Sequence, residues 1–318
     1  MPAIALATYA ALPNLAADEH PLIARLAERD IRAVPAVWDD PAVAWQQFAG
    51  VIVRSCWDYH LRPAEFFQWI DRVTSLGVPI WNSPATLRWN SRKTYLHDLT
   101  IGGVRTVPTL WLLGDNPRRA TVSLADVIED TGWEHVVVKP VVSSSAHETW
   151  EVWRDDAREN AAMHDARLRT LIARHGVMVQ PFVPEIASDG ELSLLFLGGT
   201  FSHAVIKRVP TGTGEFRVQR EYGGTHESVT PPPAILRQAE HALRSAPGES
   251  LYARVDGVLL DRNLVVTEVE LLEPSLFLDV VPEASERFAA AIAAVIPSAL
   301  SFRAEPRSGA VEESSASR

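Results

Sequence analysis

Two apolar segments near the C-terminal end, Tyr252 to Leu260 and Leu264 to Leu272, carry three carboxylates that an ordinary core strand would not hold. Asp256 lies in the first, and Glu268 and Glu270 lie in the second. Residues two apart on a strand share a face, ~7 Å apart along the backbone. Glu268 and Glu270 therefore point the same way, and Asp256 can reach that face from the neighbouring strand. At an effective dielectric near about 20, each pair of carboxylates so gathered repels by roughly 2 kcal/mol. A divalent cation turns that repulsion into affinity, and magnesium is commonly shared between a few carboxylates and substrate phosphates. An acidic strand pair facing water is the other reading of Glu268 and Glu270, and the apolar surroundings weigh against it. Glu273 has the opposite strand parity and is placed outside the metal set.

Elsewhere the chain reads as three units and a tail. In residues 1–84, short apolar runs alternate with helical patterns, which predicts an open α/β domain. Its strands are expected at Ile4–Thr8, Ile31–Val37, Phe48–Arg54 and Val78–Trp81, with helices from Glu19 or His20 to Arg29 and from Pro63 to the stop at Gly77. Residues 85–176 form a smaller second unit. There Asn90 or Ser91 is expected to cap a helix carrying Lys93, Tyr95, Leu96 and Leu99. Val104–Leu113 should be extended, Ser123–Asp130 helical, and His135–Val138 a strand ending in Lys139. Residues 177–301 predict an antiparallel α+β layer, with strands at Val177–Val183, Glu191–Leu197, Thr200–Val209, Tyr252–Leu260 and Leu264–Leu272. Helices are expected there at Pro233–Arg244 and Glu283–Leu300. Residues 302–318, rich in Ser, Glu and Arg with little to bury, read as a disordered tail.

The formal net charge of −10 argues against a nucleic-acid partner, because such affinity comes from Lys and Arg releasing counterions. A small-molecule partner is the better expectation. No apolar run approaches the ~20 residues of a membrane helix, and the N-terminal residues lack the pattern of a signal peptide. The single cysteine, Cys56, excludes an internal disulfide and reads as a small buried strand-end residue. These features together predict a cytoplasmic protein without a membrane partner, with a homodimer as the default assembly. Arg54 and Ser55, ending the third strand, are placed either to bind a charged end of a substrate or to form a strand-end salt bridge. His147 and His203 are read as structural, and most of the ten tryptophans as core.

Arg254-Val255-Asp256 followed by Glu268-Val269-Glu270 resembles the metal-binding core of the ATP-grasp ligases. Lys93, and Lys139 at the end of Val136-Val137-Val138, fit the same family, in which such lysines reach the nucleotide phosphates. Val177-Met178-Val179-Gln180-Pro181-Phe182-Val183 is similar to the family's interdomain strand. The resemblance thus implies that Gln180, Phe182 and Val183 border the adenine, Glu191 the ribose, and Ser144 a phosphate. Gly214-Glu215-Phe216-Arg217 with Gly223-Gly224 resembles the glutathione-synthetase-like branch. It implies that Arg217 and Arg254 steady the transferring phosphoryl group and that Gly223 and Gly224 approach the substrate.

The set runs in order from Ala85 to Phe277. The chain departs from the family where Glu270 replaces a common Asn, Gln180 a common acid, and Val141 to His147 a Gly-rich loop. Trp89 to Leu96, Phe201 to Ala204 and Glu270 to Leu276, with Arg54 to Trp57, are most similar to the cyclo-ligases of cycloserine biosynthesis, which close O-ureido-D-serine. The implied fold is an ATP-grasp α/β (α+β) fold with an N-terminal α/β domain. The implied cofactors are ATP and Mg²⁺, with Mn²⁺ as an alternative, and the implied reaction is amide formation through an acyl phosphate on a small amino-acid-like substrate. An ATP-grasp kinase and a non-catalytic nucleotide-binding protein are the competing readings.

Overall fold

The computed structural model describes residues 1–114 and 121–304. The first unit contains β1 (Ala3–Thr8), α1 (His20–Ala27), β2 (Arg32–Val37), β3 (Gly50–Ser55), α2 (Pro63–Ser75) and β4 (Ile80–Trp81). Its strands form a parallel sheet in the order β2-β1-β3-β4. Both faces of such a sheet are covered by helices, so its central strands read as unbroken apolar runs. Side-chain alternation along β1 sorts the two faces. Ile4 and Leu6 join α1 in one core. Ala5 and Ala7 face the other way, and their small size leaves room for Trp38, Trp45 and Trp69 beside α2.

A second unit follows with α3 (Pro84–Asn90), α4 (Tyr95–Ile101), β5 (Leu110–Leu112), α5 (Leu124–Thr131), β6 (His135–Pro140), β7 (Trp150–Trp153), α6 (Arg154–Glu159), α7 (Ala161–Arg174) and β8 (Val177–Pro181). Two local expectations change here. Neither Asn90 nor Ser91 caps the helix that carries Tyr95: Thr94 is the N-cap of α4 and makes no side-chain capping bond, whereas Ser83 caps α3, accepting from the Thr86 N–H at 3.2 Å. Lys93 lies in the turn before α4, not on a helix, and its N–H donates to the Val141 carbonyl at 2.8 Å. The extended stretch 104–113 contributes just three strand residues. Strand β8 pairs antiparallel with both β5 and β6, in the order β5-β8-β6-β7. The smaller sheet therefore reaches residue 181, past the boundary expected at 177.

The third unit holds α8 (Pro184–Ser188), β9 (Glu191–Leu197), β10 (Thr200–Arg208), β11 (Thr225–Val229), α9 (Pro233–Leu243), β12 (Tyr252–Leu260), β13 (Asn263–Glu270) and α10 (Glu283–Ala304). Its strands are antiparallel in the order β11-β10-β9-β12-β13. One face packs on α4 and α9 through Leu192, Leu194, Phe196 and Val255. The opposite face starts apolar, with Leu195, Leu197 and Val205 under Phe288 and Ile292 of α10, which also packs on the first unit. By period-2 alternation the same β9 face continues with Ser193 and Glu191. The functional face is thus the stretch where the cover of α10 runs out and the side chains turn polar. Of the expected tail, residues 302–304 belong to the last turn of α10 and the remainder lies outside the described residues. Among the described residues no helix is long and apolar enough to cross a membrane.

Candidate active site

The β12–β13 register sets Arg254 opposite Glu270 and Asp256 opposite Glu268. Opposing residues of an antiparallel pair share a face, so all four charged side chains project together. A bulge between Asp256 and Gly257 ends this regular stretch. A Cβ on Gly257 would come within 2.6 Å of the Val265 carbonyl oxygen, so the close strand approach needs glycine there. One oxygen from each of Asp256, Glu268 and Glu270 lies within 4.8 Å of the others.

Each acid is held differently. Asp256 is buried, which would raise its carboxyl, but Arg254 and Lys207 outweigh burial and hold it well below the usual carboxylate range. Arg254 Nε donates to it at 2.9 Å, Lys207 Nζ at 2.9 Å and Ser193 Oγ at 2.7 Å. Glu268 is half-buried, which would raise it, yet its contact with Lys93 Nζ keeps it low. Glu270 is pushed up to about 7 by burial and by the negative Glu268 and Asp256, against the pull of Arg254. Burial and Glu270 push Glu273 up to about 8. Carboxylates gathered this closely repel one another, and such an all-oxygen set suits a divalent ion that prefers oxygen.

These residues form part of the wall of a cleft of about 630 Å³ to which all three units contribute. Lys93, Lys139, Ser144, Gln180, Phe182, Val183, Glu191, Arg217, Arg254, Asp256, Glu268 and Glu270 all line it. Lys139 makes no ion pair among the described residues, and burial together with Lys93 lowers its ammonium despite Glu268 and Glu191. Glu191 is bound by Lys207 Nζ at 2.7 Å and accepts from Thr267 Oγ1 at 2.5 Å. Arg217 is clasped by Glu215 at 2.7 Å and lies 3.5 Å over the Tyr222 ring. Tyr222 also reaches the Ser145 carbonyl at 3.4 Å, so the loop before β11 meets the serine loop after β6.

Four expected substrate residues do not line the cleft. Arg54 and Ser55 are each 1% exposed. Arg54 donates to Glu19 at 2.5 Å and to the Pro274 carbonyl at 2.8 Å, with its guanidinium over Tyr252 and Phe288. Of the two readings open for Arg54, the salt bridge is the one the structure adopts. Gly223 and Gly224 turn the backbone beside that wall instead. A Cβ on Gly224 would sit 2.1 Å from the Val218 carbonyl oxygen, a packing reason for glycine.

Lys207 is the main cleft residue that the sequence reading passed over. Its signal was the same as that of the acids, a charge ending the apolar run Ala204-Val205-Ile206. Asn90 was also missed as a positioning residue. Its amide donates to the Val269 carbonyl at 2.7 Å and accepts from the Leu271 N–H at 2.7 Å, clamping the outer edge of β13.

Comparison with known proteins gives the chain its relatives. The family described as the N-terminal domain of D-cycloserine synthetase DcsG matches residues 4–82. The cycloserine biosynthesis protein DcsG of Streptomyces lavendulae is 32% identical over 299 residues, covering 91% of this chain and 97% of that protein. The crystal structure of D-cycloserine synthetase DcsG superposes with a TM-score of 0.80 at 26% identity, over 92% of this chain and 99% of the other. A D-alanine–D-alanine ligase from Bacillus anthracis, at 14% identity, shares the fold, with a TM-score of 0.66 over 95% and 99% of the two chains. With this coverage and identity, the chain belongs to the family of D-cycloserine synthetase DcsG and is an ATP-dependent ligase of the ATP-grasp fold.

Proposed function

We propose that the enzyme activates the carboxylate of a small amino-acid-like substrate as an acyl phosphate and that a side-chain nitrogen of the same molecule then closes a ring, as in cycloserine formation. The convergence of Asp256, Glu268 and Glu270 with Lys93, Lys139, Lys207 and Arg254 on one cleft supports this reading most directly. On this reading residues 1–84 supply the substrate side, while 85–176 and 177–301 enclose the nucleotide, with β8 in the smaller layer. The adenine lies between the two sheets, against Gln180, Phe182 and Val183. Glu191, oriented by Lys207 and Thr267, faces the ribose.

Asp256, Glu268 and Glu270 would hold Mg²⁺, whose charge offsets that of the phosphates; their all-oxygen set suits it. Lys93 and Lys139 act as compact point charges on the phosphates. Ser144 and the backbone N–H groups of the serine loop cradle them. A carboxylate oxygen of the substrate attacks the γ-phosphorus and ADP leaves. The side-chain nitrogen bonded to oxygen then attacks the carbonyl carbon, loses its proton, and inorganic phosphate departs; with O-ureido-D-serine, water then removes the carbamoyl group from that nitrogen as carbamate. Arg254 and Arg217 hold the negative charge that passes from phosphoryl to oxyanion. The protein's own contribution is position and charge, with no covalent enzyme intermediate.

Hydroxylamine trapping tests the proposal. Incubation with O-ureido-D-serine, ATP and Mg²⁺ should yield a hydroxamate together with ADP and phosphate. A stable phosphorylated product would instead indicate a kinase, and no acid-dependent ADP release would remove the ligase reading.

A further inference from the structure

The acids of the cleft are nearly all neutralised from within the chain. Glu191 and Asp256 share Lys207, Glu268 takes Lys93, Glu270 takes Arg254 at 2.5 Å, and Asp279 is bound by Arg220 at 2.6 Å. Glu273 is hydrogen-bonded by Ser144, and Glu221, without an ion pair among the described residues, is exposed to solvent. Asp18 is different. It stands in the 3₁₀ turn Ala17–Glu19 of the first unit, half-buried, and lines the cleft. Among the described residues no Lys, Arg or His makes an ion pair with it, and the Ser275 hydroxyl donates to it at 3.5 Å. The adjacent Glu19 consumes Arg54, so the cation expected to serve this end of the cleft is spent behind the wall.

From this geometry we infer that Asp18 receives the substrate's ammonium group and thereby selects acids that carry a free amine near the reacting carboxylate. The inference rests on the ligase reading of the cleft. An ammonium supplies the counter-charge that Asp18 lacks and forms charge-assisted hydrogen bonds with it. A carboxylate at this end meets Asp18 instead, so the same charge turns the reacting carboxylate toward Arg217, Arg254 and Lys139. The carboxyl of Asp18 is pushed up to about 6, by burial and then by Glu19 and Asp279, against the weaker pull of Arg54. Asp18 is thus a specificity-determining residue that touches substrate, held in place by the Arg54–Glu19 pair behind it.

The test compares two rings that differ by the amino group, D-cycloserine and isoxazolidin-3-one, bound to the full chain with ADP and Mg²⁺ at pH 7 and followed by calorimetry. The parent should bind D-cycloserine at least about tenfold more tightly than the des-amino ring, the order expected of one hydrogen-bonded charge. Asp18→Asn should lose that preference and leave isoxazolidin-3-one binding unchanged. Asp18→Glu should recover part of it. Unaltered ADP affinity in both variants reports an intact cleft. Equal affinity of the parent for both rings, no binding of either ring, or a preference that survives in Asp18→Asn would each overturn the assignment. A protein that forms hydroxamate yet fails the ring comparison keeps its ligase reading and loses the role of Asp18. One that discriminates the rings without forming hydroxamate keeps the ammonium site and loses the ligase reading.

Discussion

Glu268 sits at the junction of two kinds of charge, the carboxylates of β12 and β13 and the Lys93 ammonium that reaches it from the turn before α4. Glu268→Gln keeps the shape and removes the charge. We expect ATP turnover to fall by about a hundredfold or more, in the range seen when one stabilising group is lost from a transition state. The Mg²⁺ dependence should shift to higher concentration while the circular dichroism spectrum stays parental. Turnover at the parental rate would place the metal elsewhere. At this scale the sequence was informative wherever a charge interrupted an apolar run, as at Asp256, Glu268 and Glu270. It was silent on Asp18, which lies in a loop where a carboxylate is ordinary. Lys207 carried the same signal as the acids and was readable by the same rule.

Among the elements, β10 shows what burial does to a titrating group. His203 shares the α10-facing side of the sheet and is 6% exposed. Its Nε2 and the Leu276 carbonyl lie 2.9 Å apart, and its Nδ1 lies 2.9 Å from Ser202 Oγ, which accepts from Arg287 Nε at 2.8 Å. A neutral ring satisfies this chain by donating from Nε2 and accepting at Nδ1. Burial, with Arg287 adding to it, lowers the imidazole to about 4 from its ordinary 6.5, although the Leu276 hydrogen bond opposes the shift. The folded value lies below the unfolded one, so the unfolded chain binds the proton first as pH falls. The stability from neutral His203 is therefore present above pH 6.5 and is lost on descent toward about 4. His203→Gln should flatten the fall of Tm across that window, whatever it costs at pH 7. An unchanged slope would show that His203 does not report on acid unfolding. Strands such as β9 and β12 were legible because their apolar runs are long. Segment 150–174 was not, because β7 is four residues long, α6 is highly charged, and α7 buries a short face of Leu168, Leu171 and Ile172.

For the whole molecule, the Arg54–Glu19 pair lies where the first sheet, α10 and the segment after β13 meet. Burial would discharge the guanidinium, yet Glu19 holds it firmly protonated. Removing one partner leaves a buried charge unpaired, which costs about 3–5 kcal/mol. Arg54→Met should lower the urea midpoint accordingly, and Arg54→Met with Glu19→Leu should restore most of it. A single variant as stable as the parent would mean that the pair is not what joins the units. The sequence by itself determined the strand and helix periods, the face on which the acids of β13 lie, and a charge balance unsuited to nucleic acid. These follow from covalent geometry and composition, which act over a few residues. Tertiary structure alone decided which charge meets which. Glu19 takes Arg54 from 35 positions away and Lys93 reaches Glu268 across 175. Such pairings are chosen by long-range packing and by the high energy of leaving a buried charge alone, neither of which a local pattern encodes.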